Sequence, residues 1–360
     1  MAKVLTIDVG AGTMDILWVD TEKKLLYKLV AKSPTMFLAE KILSSQKDIV
    51  ITGVEMGGGA IANAIKEKAK EKKVVITKSA AFTIHSDLSR VKSYGVRIVD
   101  DNENLKELNK KEWDYFETKD IDPERIYAIL ETIGVEPFVD IIGVAVQDHG
   151  RPPKGLSAID FRHEIFKKSL SNNPYPWTFI FNDNEIPAYL TRMKAVVKSV
   201  KKLNPSSIYM MDTGMAAITG AYLDDLSMVK DIVVVLDIAT SHTLGATLIK
   251  GEVAGFFEYH TKGINSSIIS SYVKALADGK LIHKKVVEEG GHGAFIRKLV
   301  GFENVEAIIA TGPKRDIIKD IDLKIHFGSP IGDNMMTGAV GLLFAIGKKE
   351  KLNLSFLFSD

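Results

Sequence analysis

The 360-residue chain contains no cysteine. Disulfides, thiolate metal sites, cysteine-held iron–sulfur clusters and cysteine nucleophiles are thereby excluded, and a reducing, cytoplasmic setting is expected. An excess of charge is also missing: 47 Lys and Arg stand against 46 Asp and Glu, a formal net charge of +1. Without a global field to hold a polyanion or an anionic membrane surface, neither nucleic acid nor membrane is an expected partner. No apolar run reaches the length of a membrane span, and the opening MAKVLTIDVG lacks the long apolar stretch of a secretory signal. The G-x-S-x-G elbow of many hydrolases and the Walker-type G-x-x-x-x-G-K-[ST] loop are absent as well. Eight histidines are scattered without the close sequence pairings of a zinc site, so no structural metal is expected.

What is present is enough chain for two domains, since single cores usually stop growing below this length. From 4 to 31 the segments VLTIDV, DILWVD and LLYKLVA read as a three-strand meander. Strands at 49–54 and 74–77 alternate with helices, giving an α/β layer. The polar stretch around NENLKELNKKEWD makes 79–120 an expected surface insertion. A further strand, VDIIGVAV, stops at QDHG, and apolar spacing from Ile186 to Leu203 predicts a helix over 184–203. After Asn204-Pro205 the order repeats, with IVVVLDI, TLGATLI and VAGFFEY as a second meander, then helices, the strand VEAIIAT and a last helix from 334. The expected division is therefore 1–204 and 205–360, two related units facing one another.

The stretch TIDVGAGTMDIL runs a strand into Asp8, Gly10, Gly12, Thr13 and Asp15. Small residues there let backbone N–H groups approach an anion, and a hydroxyl and carboxylate can organise hydrated Mg²⁺; an ordinary tight hairpin is the plainer reading. The second unit supplies a counterpart, LDIATSHTLGA, in which Asp237 stands where Asp8 stands and Thr240 and Ser241 form the turn. Two acid-tipped hairpins from duplicated units suit the two sides of one phosphate chain. A Rossmann reading fits less well, because GAGTMD leads into a strand and not a helix.

This arrangement resembles the superfamily of actin, Hsp70 chaperone ATPases and the acetate and sugar kinases. The resemblance implies duplicated ribonuclease H-like domains around a cleft that binds ATP and Mg²⁺. MDTGMAAITGAYLDD, beginning at Met211 and including Asp212, is similar to the first connecting helix of that superfamily, with FNDNEIPAYL as an alternative. DNMMTGAVGLLFAIG is similar to the second connecting helix. EAIIATGPKRDII is similar to the adenosine motif and offers Thr311, Gly312 and Arg315. In the second loop Ala239, Thr240 and Ser241 stand where glycines are usual. At a finer level the sequence resembles an archaeal and bacterial family, some members of which carry a label linking them to pyruvate formate-lyase activation. Read as radical chemistry that label does not suit this chain, which has no cysteines for a cluster.

In a kinase reading Asp8 and Asp237 position the metal, Thr13 and Thr240 touch the phosphates, and Asp148 is the expected base because it follows an apolar strand at its carboxyl end. Gln147, His149 and Arg151 flank it. The loop EEGGHGAF at 288–295 reads as a flexible connection that could close over a ligand, and Gly57 to Gly59 open a helix after a strand. Three functions are compatible with these residues: phosphoryl transfer from ATP to an unidentified small molecule, an ATPase that activates a protein partner through domain closure, and a ligand-binding module without turnover.

Overall fold

The computed structural model describes residues 2–105, 108–153 and 155–358. The first meander is β1 (Lys3–Val9), β2 (Thr13–Asp20) and β3 (Leu25–Lys32). β1 and β2 are covered on both faces and read as nearly continuous apolar runs, whereas β3 lies at a sheet edge and alternates partly buried with exposed residues. Next come β4 (Asp48–Gly53), β5 (Val74–Thr77), β6 (Val96–Val99) and β7 (Trp113–Thr118), then β8 (Ile141–Val146), β9 (Ile180–Asn182) and β10 (Ser207–Asp212). The second half holds β11 (Ile232–Ile238), β12 (His242–Ile249), β13 (Glu252–His260), β14 (Gly293–Ile296), β15 (Ala307–Thr311) and β16 (Ile325–Phe327).

These strands form three sheets, in the orders β3-β2-β1-β8-β10-β9, β14-β13-β12-β11-β15-β16 and β6-β5-β4-β7. In each six-stranded sheet an antiparallel meander is followed by two strands parallel to its first member. The shared core, β3-β2-β1-β8-β10 and β13-β12-β11-β15-β16, is the ribonuclease H-like order, present twice. The first sheet continues past residue 204, because β10 pairs parallel with β8.

Two expectations are corrected. Strands 49–54 and 74–77 do not extend the first sheet; with β6 and β7 they make a separate, wholly parallel sheet inserted between β3 and β8. The 79–120 stretch is therefore half of a packed layer with its own apolar core, of which residues 106 and 107 lie outside the described residues. The helix expected over 184–203 begins only at Thr191, after turns at 183–190, and continues through a 3-10 turn to Leu203. Its start is fixed by a cap from elsewhere in the chain, Asp148, whose carboxylate accepts from the Met193 N–H at 3.0 Å.

Helices Thr213–Tyr222 and Thr337–Glu350 cross between the six-stranded sheets and are buried along most of their lengths. Their backbones touch where both are glycine. A β-carbon at Gly220 would stand 1.8 Å from the Thr337 carbonyl oxygen, and one at Gly341 would stand 1.9 Å from that of Ala216. This crossing sits within the core shared by the two sheets and brings the start of each helix to the cleft.

Candidate functional site

The two acid-tipped turns meet across a cleft. In the first, Gly10 N–H donates to the Thr13 carbonyl at 3.0 Å and Ser33 Oγ donates to the Gly10 carbonyl at 2.7 Å. In the second, Ala239 N–H donates to the His242 carbonyl at 3.1 Å and Thr261 Oγ1 donates to the Ala239 carbonyl at 2.8 Å. The tips are in contact: a β-carbon at Gly12 would lie 3.0 Å from the Thr240 side chain. Asp8, Gly10, Gly12, Thr13 and Asp15 line the cleft from one side. Asp237, Thr240, Ser241 and Gly312 line it from the other.

Three carboxylates in this cleft hold protons unusually well. Burial pushes Asp8 up to about 7; a hydrogen bond from Thr213 opposes the shift, and the charges of Asp237 and Asp212 add to it. Burial, then the neighbouring charge of Asp8, pushes Asp15 up to about 8. Burial pushes Asp237 up to about 6 despite a hydrogen bond from Thr311, whose Oγ1 lies 3.2 Å from Asp237 Oδ1. Asp15 Oδ1 is buried with no hydrogen-bond partner among the described residues. These carboxylates are hard oxygen donors gathered at one place in the cleft.

Both crossing helices begin beside Asp8. Thr213 Oγ1 donates to Asp8 Oδ1 at 2.6 Å, and a β-carbon at Gly338 would stand 1.9 Å from Asp8 Oδ2. Two helix N-termini thus direct their positive ends toward the loops. Asp212 caps the first of them, accepting from the N–H groups of Gly214 and Met215 at 2.9 and 3.2 Å. It lies behind the cleft wall, where Arg162 holds it. FNDNEIPAYL forms edge strand β9 and turns, and is not a connector. Gly312 adopts φ +89°, and a β-carbon there would meet the Ile238 carbonyl at 2.6 Å. Arg315 is not part of the cleft: it donates to the Gly328 carbonyl at 2.6 Å and lies over the Phe327 ring at 5.6 Å. Gly57 to Gly59 do line the cleft, contributed by the inserted sheet.

Asp148 has a different job from the one expected of it. It is 5% exposed, and its two oxygens accept from the N–H groups of Gly150 at 2.8 Å and Met193 at 3.0 Å. A carboxylate so engaged is a backbone anchor, and it does not line the cleft. Its neighbour Gln147 does, donating to Glu258 at 2.6 Å.

The sequence gives little sign of the buried ion network beside the second loop. Helix Ala158–Asn172, started by the Ser157 cap, presents Arg162, Phe166 and Leu170 inward. An arginine heading an otherwise apolar i, i+4, i+8 stripe hides the periodicity. The Arg162 guanidinium spans Asp212, at 3.0 Å, and Glu258. Burial works against the charge of Arg162, but the two carboxylates outweigh it and raise its pKa further. Glu258 is likewise penalised by burial, yet Arg162 and a hydrogen bond from His292 hold it well below the carboxylate range. On the other wall Arg192 grips Asp120 through Nε and Nη2 at 2.8 and 2.9 Å and donates to the Gln147 carbonyl at 2.7 Å.

Three of the scattered histidines are brought together although they are far apart in the sequence. His242 and His260 face each other in the β12–β13 register, and His292 stands just before β14. The EEGGHGAF loop is tied down, with His292 N–H donating to the Glu258 carbonyl at 2.8 Å and Gly291 N–H to that of Val286 at 2.8 Å. Burial pushes His242 down to about 4 and His149, packed edge-on to His292, down to about 3. Strand pairing, invisible to sequence spacing, makes this cluster.

Two duplicated ribonuclease H-like sheets, joined by crossing helices around a loop-lined cleft, define an actin-like ATPase fold. The chain belongs to the family described as "Putative pyruvate format-lyase activating enzyme (DUF1786)", whose match spans residues 56–317. No curated protein sequence matches it. Among solved structures it is similar to the ethanolamine utilization protein EutJ from Carboxydothermus hydrogenoformans, at 10% identity over 95% of this chain and 89% of that one, with a TM-score of 0.35. It is similar also to the ROK hexokinase from Thermus thermophilus, at 10% identity over 97% and 99% of the two chains, TM-score 0.32. A chain of the PilM-PilN type IV pilus biogenesis complex gives 13% identity over 95% and 98%, TM-score 0.37. No helix of the described residues is long and apolar enough to cross a membrane.

Proposed function

We propose that the cleft binds ATP with Mg²⁺ and that the protein transfers the terminal phosphoryl group to a small molecule. The observation that carries this reading is the pairing of the Gly10–Thr13 and Ala239–Ser241 turns across one cleft floored by Asp8, Asp15 and Asp237. The donor set fits magnesium: the oxygens are hard, burial raises the proton affinity of three carboxylates, and Asp15 Oδ1 has no hydrogen-bond partner among the described residues. When bound, the ion neutralises charge on the phosphate oxygens. Asp8 and Asp237 hold it through water or directly, and the Thr13 and Thr240 hydroxyls with the loop N–H groups take the phosphates. The N-termini of helices Thr213–Tyr222 and Thr337–Glu350 add their dipoles.

With Asp148 occupied by backbone donors, the base for an acceptor hydroxyl comes from the cleft carboxylates, and Asp15, whose Oδ1 has no hydrogen-bond partner among the described residues, is the residue assigned, in the ionised form that a bound cation would favour. The test is ADP formation from Mg²⁺–ATP with and without pooled sugars, polyols and carboxylic acids. Acceptor-dependent turnover abolished by Asp15→Asn is expected; acceptor-independent hydrolysis would reassign the protein as an ATPase acting on a partner.

A further inference from the structure

We propose that His242, His260 and His292 form a binding site for a divalent transition-metal ion of the zinc class at the rim of the cleft, oriented by Glu258. This site is separate from the magnesium carboxylates and does not rest on the nucleotide reading. The three ring centroids form a nearly even triangle, with separations of 4.9, 4.6 and 4.6 Å. One nitrogen from each ring lies within 4.8 Å of the other two. Three nitrogens bound at zinc distances in tetrahedral geometry are separated by about 3.3 Å, so small side-chain rotations close the set.

Two further observations point to a ligand. His242 Nε2 is buried and has no hydrogen-bond partner among the described residues. His292 Nδ1 lies 3.1 Å from Glu258 Oε1, which fixes the ring and leaves Nε2 as its free donor. A carboxylate behind a histidine is the usual device for orienting a metal ligand and raising its basicity. Glu258 is itself held, 2% exposed, by Arg162 and by Gln147 Nε2 at 2.6 Å.

Imidazole nitrogens select zinc, cobalt, nickel or copper over magnesium, for which the oxygen set across the cleft is the better match. Three histidines leave at least one coordination position open. His242 belongs to the cleft wall next to Ser241, so that position is available to water or to an oxygen atom of a molecule bound in the cleft.

The experiment is a Zn²⁺ titration of tag-free, chelator-dialysed protein by calorimetry in millimolar Mg²⁺, with Co²⁺ absorption as a second reading of the ligand geometry. Binding of about one equivalent per chain is expected, with a four- or five-coordinate Co²⁺ spectrum. His260→Ala tests the site without disturbing the core, since His260 is exposed, and should weaken Zn²⁺ binding at least about tenfold with an unchanged melting curve. Glu258→Gln should weaken it by about 10- to 100-fold if the variant folds. His326→Ala, an exposed histidine on β16, should have no effect. Failure of the folded wild-type chain to bind Zn²⁺ at micromolar concentrations would overturn the proposal. So would binding that His260→Ala and His292→Ala both leave unchanged, or that Mg²⁺ displaces.

Discussion

Asp8 Oδ1 accepts a 2.6 Å hydrogen bond from Thr213 Oγ1, joining the first loop to the helix that crosses between the sheets. This bond favours the ionised form of Asp8 against the burial that opposes it. Thr213→Val therefore moves the Asp8 pKa above its present value of about 7, and the pH midpoint of Mg²⁺-dependent nucleotide binding should rise with it. Thr213→Ser should restore the midpoint. A profile unmoved by Thr213→Val would show that Asp8 does not govern metal affinity.

The three raised carboxylates make stability depend on pH in a defined direction. Each has a folded pKa above the ordinary aspartate value of 3.8, at about 7, 8 and 6 for Asp8, Asp15 and Asp237. The folded state therefore keeps protons that the unfolded state releases, and stability falls as pH rises from about 4 to 8. A bound cation reverses the preference, so the Mg²⁺-induced rise in melting temperature should grow over the same interval. Thermal melts with and without Mg²⁺ across that range measure both slopes, and Asp15→Asn should flatten them. A metal-free melting temperature that climbs steadily to pH 8 would contradict the assignment.

Asp148→Ala removes an anchor. Two backbone N–H groups lose their acceptor, so the chain should lose about 1–2 kcal/mol of stability in urea denaturation. Nucleotide affinity measured well below the unfolding midpoint should stay near the wild-type value, since Asp148 does not line the cleft. A fully stable variant with abolished turnover would return Asp148 to the catalytic role its sequence position suggests.

The helix crossing admits no side chain. Gly341→Ala places a β-carbon 1.9 Å from the Ala216 carbonyl oxygen, and the backbones must separate. A loss of about 1–3 kcal/mol or more is expected from the forced shift, read as a lowered denaturation midpoint. Because both helices start at Asp8, nucleotide affinity should weaken as well. An unchanged midpoint would mean that the helices do not pack as described.

The parts of the fold visible in the sequence are those with local signatures. The two meanders announce themselves by apolar runs broken at Asp8–Asp15 and Asp237–Thr243, and the crossing helices by glycines at positions 220 and 341. Those residues also placed most of the cleft: both loops, the helix starts and Gly312 were legible. What was not legible depends on long-range pairing. Arg162 meets Asp212 and Glu258 only once helix Ala158–Asn172 lies against the second sheet, and His242 faces His260 only through strand register. Asp148 reads as functional because it follows a strand at its carboxyl end, and Arg315 because its segment resembles an adenosine motif, but each is taken up by backbone partners. The inserted sheet has a weak sequence signature because β6 and β7 flank a polar stretch and pair only through long-range register.

Isothermal titration with ATP, in the presence and absence of Mg²⁺, on wild-type protein and Asp8→Asn tests the central claim most directly. The account predicts Mg²⁺-dependent binding to the wild type, and a variant that melts cooperatively but has lost the metal dependence, because Asp8 stands in the cleft between the two helix starts and the loops. Absence of any heat of binding to ATP or ADP at millimolar nucleotide, or Mg²⁺-dependent binding that survives Asp8→Asn unchanged, would contradict it.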